Sequence, residues 1–234
     1  MSKNIYNSIS NKFSFINKDK KQFSTNKTNN FTKKEDSQVN EEVKNTEVSI
    51  EKDNYESLKK VIQQRRSVRK YTSHKPSYRL LLDIIQTATS TPRTGNIVPF
   101  HTTIIQDRSI ISTISNLCYQ QSWIAQAPYV LVVSSSMSEM YKFYPDMASR
   151  FSTQTTSSYI TNILLLIQAS GLSSCWIESM QEEILKDYLS VPRSHEIHAI
   201  LPIGYAREIN KAPSTPSFLS LVSFESYGNK ENKN

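Results

Sequence analysis

Arg65-Arg66-Ser67-Val68-Arg69-Lys70-Tyr71 packs cations at close spacing around one hydroxyl and one apolar residue. Upstream, Leu58, Val61 and Ile62 recur at i, i+3, i+4, which predicts a helix running into the cluster. Arginine offers a planar fork of donors that a phosphate accepts in pairs. Ser67 adds a hydroxyl between the arginines. The same residues also suit the solvated end of a basic helix, where cations complement the macrodipole. The rest of the chain decides between an anion site and a helix end.

With 234 residues there is room for one domain and an extension. The net charge of +7 raises nucleic acid as a partner. Its distribution argues against one. Residues 1–34 hold eight lysines against Asp19 alone, and residues 35–56 hold eight acids against Lys44 and Lys52. No aromatic and basic RNA-binding motif accompanies the charge, so no nucleic acid is expected. The only glycines are Gly95, Gly171, Gly204 and Gly228, from which neither a dinucleotide fingerprint nor a P-loop can be built. No apolar run reaches the length of a membrane span. Cys118 and Cys175 form no C-x-x-C and read as reduced, partly buried thiols of an intracellular protein. His195 and His198 sit in a predicted strand, where three-residue spacing places them on opposite faces, so no metal site is expected.

In residues 1–34, Ile5, Ile9, Phe13 and Ile16 form one helical stripe in a basic, acid-poor context. That pattern is expected of a mitochondrial targeting peptide; the alternative is an Asn- and Lys-rich tail of a cytoplasmic protein. Residues 1–56 are expected to be a disordered extension, basic and then acidic, with the folded domain at 57–228 and a tail at 229–234. Helices are predicted over Ser77–Ser90, Ser109–Gln121, Thr153–Ser170 and Gln181–Leu189. Strands are predicted over His101–Gln106, Tyr129–Ser134, Ser174–Ile177 and Ile197–Ile203. Thr91–Pro99 reads as a loop and Met137–Arg150 as an aperiodic segment. The alternation favours a sheet layered between helices.

Taken in order, these pieces resemble the nitroreductase family of FMN-dependent oxidoreductases. The resemblance rests on Arg65-Arg66-Ser67-Val68-Arg69 and on Thr91-Pro92-Arg93-Thr94-Gly95-Asn96-Ile97-Val98-Pro99-Phe100. It continues through Ala127-Pro128, Gly171-Leu172-Ser173-Ser174-Cys175-Trp176-Ile177 and Leu201-Pro202-Ile203-Gly204-Tyr205. It implies an α+β fold, a three-layer sandwich with a mainly antiparallel central sheet between helices, working as an intertwined homodimer with FMN at the interface.

By position, the resemblance gives Arg65 and Ser67 the flavin phosphate, with Arg66 beside them, and gives Arg69 the pyrimidine edge. Pro92, Thr94 and Asn96 would meet the flavin from the partner's loop. Glu178 and the backbone at Ser179 would lie by the face where nicotinamide stacks. Two positions depart from the family pattern. Val98 stands where the motif has glutamine, and of the usual C-terminal basic pair only Lys211 is near.

The implied function is electron transfer from NADH or NADPH, through FMN, to a small-molecule electron acceptor such as a nitroaromatic or quinone. No catalytic side chain is assigned. The alternatives are a specialised flavin reaction such as reductive dehalogenation, or a flavin-binding protein without turnover. Tyr141, Phe143 and Tyr144 would either cap the substrate or pack the dimer interface. Cys175 and Trp176 read as core strand residues.

Overall fold

The computed structural model describes residues 52–208 and 210–230. The targeting-peptide reading and most of the expected extension lie outside the described residues. The elements are α1 (Lys52–Gln64), α2 (Tyr78–Ala88), β1 (Phe100–Ile105), α3 (Arg108–Leu117), β2 (Tyr129–Ser136) and α4 (Ser138–Phe143). They continue with α5 (Ala148–Ala169), β3 (Ser173–Ser174), α6 (Glu182–Leu189), β4 (His195–Gly204) and α7 (Phe218–Leu221).

The four strands form one sheet in the order β1-β2-β4-β3, with every pairing antiparallel. β2 is the element around which the layers form. Tyr129, Leu131 and Val133 pack with Leu81 and Ile84 of α2 and with Tyr159, Ile160, Ile163 and Ile167 of α5. Val130 and Val132 face the other way, onto Ile111 and Ile114 of α3 and Leu185 of α6. Both faces are buried, so β2 reads as a continuous apolar run rather than an alternating one. Each fully buried Leu or Ile contributes roughly 1.5–3 kcal/mol. The architecture is the expected α+β three-layer sandwich.

β4 breaks simple alternation. Ile197 and Ile200 are three apart yet share one core. The register shifts between Val133 and Ser134, so Val133 pairs with Ala199, Ser134 pairs with Ile197, and His198 is left over as a bulge. The Ile197 amide, at the bulge, donates to Glu182 Oε1 at 2.9 Å. The His198 imidazole turns to the α5 side, where Nε2 lies 2.7 Å from Ser135 Oγ and Ser152 of α5 donates to the same oxygen at 3.0 Å. His195 instead lies within electrostatic reach of His101 and Lys186. Among the described residues no group of side chains could hold a metal ion. None of the described helices is long and apolar enough to cross a membrane.

Three local expectations are corrected. α5 starts at Ala148 rather than Thr153, because Ser152, Thr155 and Thr156 are buried in its first half and hydroxyls hide the apolar stripe. At its other end, Gly171 takes φ 72° and Leu172 N donates to Ile167 O at 3.0 Å, a Schellman closure. The strand expected over Ser174–Ile177 pairs only at Ser173–Ser174, with an isolated bridge from Ile177 to Ile200. The segment read as aperiodic, Met137–Arg150, holds α4 and a 3-10 turn at Pro145–Met147 before α5 begins.

The basic stretch follows α1 as an extended segment along the sheet edge. Val68 N donates to Ser174 O at 3.0 Å and Thr72 N to Tyr205 O at 2.9 Å. Tyr71, buried in a small cluster with Val68 and Ala127, places its hydroxyl 2.7 Å from Val68 O and 3.2 Å from Pro202 O. The segment comes so close to the end of β4 that a Cβ on Gly204 would meet Pro128 Cδ at 2.8 Å and Tyr71 Cδ1 at 3.2 Å.

Candidate functional site

An extended backbone alternates its side chains, and this one sorts the basic cluster into two sets. Arg65, Ser67 and Arg69 all lie within electrostatic reach of the Cys175 thiol, whose Sγ donates to Trp176 O at 3.8 Å. Burial still holds that thiol above the usual cysteine range, with Arg69, Ser67 and Arg65 partly offsetting it. Arg66 goes the other way. Its Nη1 donates to Gln63 O at 2.6 Å and to Arg65 O at 2.8 Å, and it lines a cleft of about 560 Å³ with Val68, Gln168 and Tyr205. Arg66 is thus tied to backbone carbonyls and to this cleft, whose lining also includes Asn210.

No carboxylate pairs with Arg65 or Arg69 among the described residues. Lys70 has Glu208 at 2.8 Å, and Arg193 has Glu183 and Asp187 at 2.7 Å each. Arg69 instead has the Trp123 ring, its Cζ 5.7 Å from the ring centroid. Beside the Ser67–Ser174 bridge, Ser174 Oγ is buried without a hydrogen-bond partner. The cluster is thus a partly exposed cationic surface whose two guanidiniums have no carboxylate partner among the described residues, which suits a phosphate or another anion. Past Arg65, whose N donates to Val61 O at 3.0 Å, the segment leaves α1 and runs extended through the Ser67–Ser174 bridge.

Two features of this region escaped the sequence reading. Asn210 Nδ2 donates to Ser67 O at 2.6 Å, which ties the C-terminal segment to the cluster and brings Lys211, one residue on and exposed, to its neighbourhood. No periodic signal marks Asn210. Trp123 lies in a 3-10 turn just before Ala127-Pro128, and only that adjacency could have drawn attention to it.

Pro92, Thr94 and Asn96 lie elsewhere. Pro92 and Thr94 line a groove of about 330 Å³ with Gln154, Thr155 and Ser158 of α5. Gly95 and Asn96 both take left-handed backbone, φ 60° and 57°, which explains an asparagine at the second position. Tyr144 packs on the loop tip, 3.1 Å from where a Gly95 Cβ would stand, and meets Phe151 edge-on. It is therefore a packing residue, while Tyr141 and Phe143 are exposed. Gln168 lines the Arg66 cleft and Thr155 the loop groove, so at about 1.5 Å per helical residue the two regions stand roughly 20 Å apart along α5.

Glu178 and Ser179 are exposed just beyond the Ile177–Ile200 bridge. Trp176 Nε1 donates to His198 O at 3.0 Å, which fastens this segment to the bulge of β4. Burial lowers the His198 pKa, partly offset by Glu196, Glu182 and Glu178.

A family model described as "Nitroreductase family" matches residues 62–122 and 115–205, more than half of the chain. The chain belongs to the nitroreductase family. Among its relatives, an Archaeoglobus fulgidus protein provisionally named NADH dehydrogenase/NAD(P)H nitroreductase is 26% identical over 65% of this chain and 87% of its own length. Solved nitroreductase-fold structures superpose on it. B. megaterium NfrA2 gives a TM-score of 0.67 at 21% identity, over 73% of this chain and 75% of its own. The Vibrio harveyi NADPH:FMN oxidoreductase complexed with NAD+ gives 0.66 at 16% identity, over 73% and 78%. The nitroreductase match includes Arg65–Arg69, the Thr91–Phe100 loop, the Gly171–Ile177 turn and the Leu201–Tyr205 strand end.

Proposed function

We propose that this protein is an FMN-dependent oxidoreductase that takes electrons from NADH or NADPH and delivers them to a small-molecule acceptor such as a nitroaromatic or quinone. The observation that carries the reading is the run Arg65, Ser67 and Arg69, two guanidiniums flanking a hydroxyl, with no carboxylate among the described residues paired to either, and Arg69 set over the Trp123 ring instead. Bound FMN would supply the redox chemistry, accepting hydride from the nicotinamide and passing the electrons on. The protein contributes position and field. Arg65 and Ser67 hold the phosphate, and Arg69 sets a fixed positive charge at the pyrimidine edge, which favours the reduced flavin. Glu178 and the Ser179 backbone border the nicotinamide face.

Lys211, brought near by Asn210, serves as the remaining phosphate cation. A charge-assisted hydrogen bond of this kind is worth roughly 1.5–3 kcal/mol, about tenfold or more in affinity. Val98, exposed beside Asn96, leaves an apolar surface where the family motif carries an amide.

The site is completed by a second copy of the chain. Within one chain the loop bearing Pro92, Thr94 and Asn96 is roughly 20 Å along α5 from the region of the cluster. A homodimer that sets one copy's loop against the other's arginines joins them.

The test is the visible spectrum of the purified protein, followed by anaerobic addition of NADH and of NADPH. A yellow protein that bleaches with either supports the enzyme. Yellow without bleaching would make it a flavin binder without turnover. A colourless protein that rejects added FMN would end both readings.

A further inference from the structure

Arg69 is held by something other than an anion. The segment from Arg65 to Tyr71 is anchored through Val68 and Tyr71, which pack with Ala127 and against Trp123. The indole is thus held by apolar contacts, and the Arg69 Cζ lies over it, 5.7 Å from the ring centroid. This is within the range at which an aromatic face attracts a guanidinium.

An aromatic face does something a carboxylate cannot. It fixes the cation while leaving its charge uncancelled and all its N–H donors unspent. A carboxylate there would neutralise Arg69 and repel an incoming anion. The other groups near Arg69 follow the same rule. Burial pushes the Tyr71 phenol far up, with Cys175 adding to the rise and Arg69 partly offsetting it. Burial likewise raises the Cys175 thiol against the pull of Arg69. Both are neutral at physiological pH.

We propose that Trp123 is the positioning residue for Arg69: its indole holds the guanidinium, still fully charged, against the pyrimidine edge of the bound flavin. This rests on the FMN reading above. Arg69 is itself exposed, and removal of the indole loosens its side chain so that its field on the flavin is averaged over more distant, better-screened positions.

The test uses the full chain loaded with FMN and its variants Trp123→Leu, Trp123→Phe, Trp123→Tyr and Arg69→Ala, together with the Arg69→Ala, Trp123→Leu double variant. FMN affinity, riboflavin affinity, midpoint potential and melting temperature are measured on each. Trp123→Leu should weaken both ligands by about two- to fivefold, the scale of an exposed cation–π contact, and move the midpoint potential to lower values. In the Arg69→Ala background the same change should leave the potential where Arg69→Ala alone put it, because coupled residues are not additive.

An equal drop in potential with and without Arg69 would make Trp123 a packing residue and overturn the proposal. So would a wild-type potential in Trp123→Leu. If Trp123→Leu does not fold, Trp123→Tyr and Trp123→Phe decide: the potential should be highest with Trp, the best of the three rings as a cation partner, and equal potentials would reject the idea. A wild-type protein that holds no flavin would instead bring down the FMN reading itself. A wild type that responds to Arg69→Ala but not to Trp123 variants removes only this inference.

Discussion

Arg65 and Arg69 sit two side-chain positions either side of Ser67 and are expected to answer differently to truncation. Arg65→Ala should release FMN and make the affinities for FMN and riboflavin converge, since only FMN carries the anion whose partner was removed. Arg69→Ala should weaken both ligands and lower the midpoint potential, because the reduced flavin loses a compensating cation. Paired flavin titrations and a redox titration measure this, and wild-type values in both variants would return the cluster to a plain basic surface. Residue chemistry was the most legible layer of the sequence. The types that grip an anion appear in order, and the extended segment turns them to one face. The exception is Arg66, identical in type to its neighbour and committed to backbone carbonyls by the alternation of the strand. At the same scale, His198 predicts a pH effect. Its folded pKa is lowered by burial from the ordinary 6.5, so the folded state takes up its proton less readily than the unfolded chain. The stability it confers is complete above about pH 6.5 and declines as the pH falls below that value. Urea midpoints at pH 7 and pH 5.5 should differ less in His198→Gln than in wild type. Equal differences would show that His198 is not the group responsible.

Two elements bear the site, and each depends on close packing. α5 carries the core stripe of Ile160, Ile163 and Ile167, all buried against the sheet. Ile163→Ala should cost about 2–5 kcal/mol of unfolding free energy, read from denaturant midpoints. A loss under about 1 kcal/mol would mean that the helix is less well packed than described. The end of β4 is tighter still. Gly204→Ala would drive a methyl into the Pro128 ring, which cannot swing aside, and into Tyr71. The cost is about 1–3 kcal/mol, with the Arg65–Tyr71 segment loosened and FMN affinity reduced along with it. Full FMN affinity in that variant would show that the segment tolerates displacement. Element type was readable wherever the apolar period was clean, as in α2, α3 and β2. It failed where physics outside the period took over. Hydroxyls buried in the first half of α5 looked like surface. The bulge in β4 needs Glu182 to satisfy the Ile197 amide, a partner fifteen residues away in the chain.

The whole molecule is where the sequence says least, because a partner surface has no period of its own. Tyr55, Leu58 and Ile62 on α1 are each more than half exposed, and so are Phe218, Leu219 and Leu221 near the C-terminus. Exposed apolar side chains such as these are what the proposed dimer would cover. Light scattering should give a dimer, and a monomer that keeps FMN would disconnect Asn96 from the cofactor. Deletion of residues 1–50 should leave flavin content unchanged, since that segment lacks a core-forming pattern. Lost flavin in the truncated protein would assign the segment a part in the fold. A reporter fused to residues 1–40 tests the mitochondrial address separately: import supports it, and a diffuse cytosolic signal rejects it.

The separation of loop and cluster along α5 has a consequence in the arithmetic of mixed populations. A subunit with Arg65→Ala keeps a sound loop, and a subunit with Asn96→Ala keeps a sound cluster. Paired at random, half of the dimers are hybrids, and each hybrid concentrates both lesions in one site and leaves the other whole. Two preparations that are each impaired in every site should therefore, on unfolding and refolding together, regain about a quarter of all sites intact. If each site lay within a single chain, every site would keep one lesion or the other, and mixing would restore nothing.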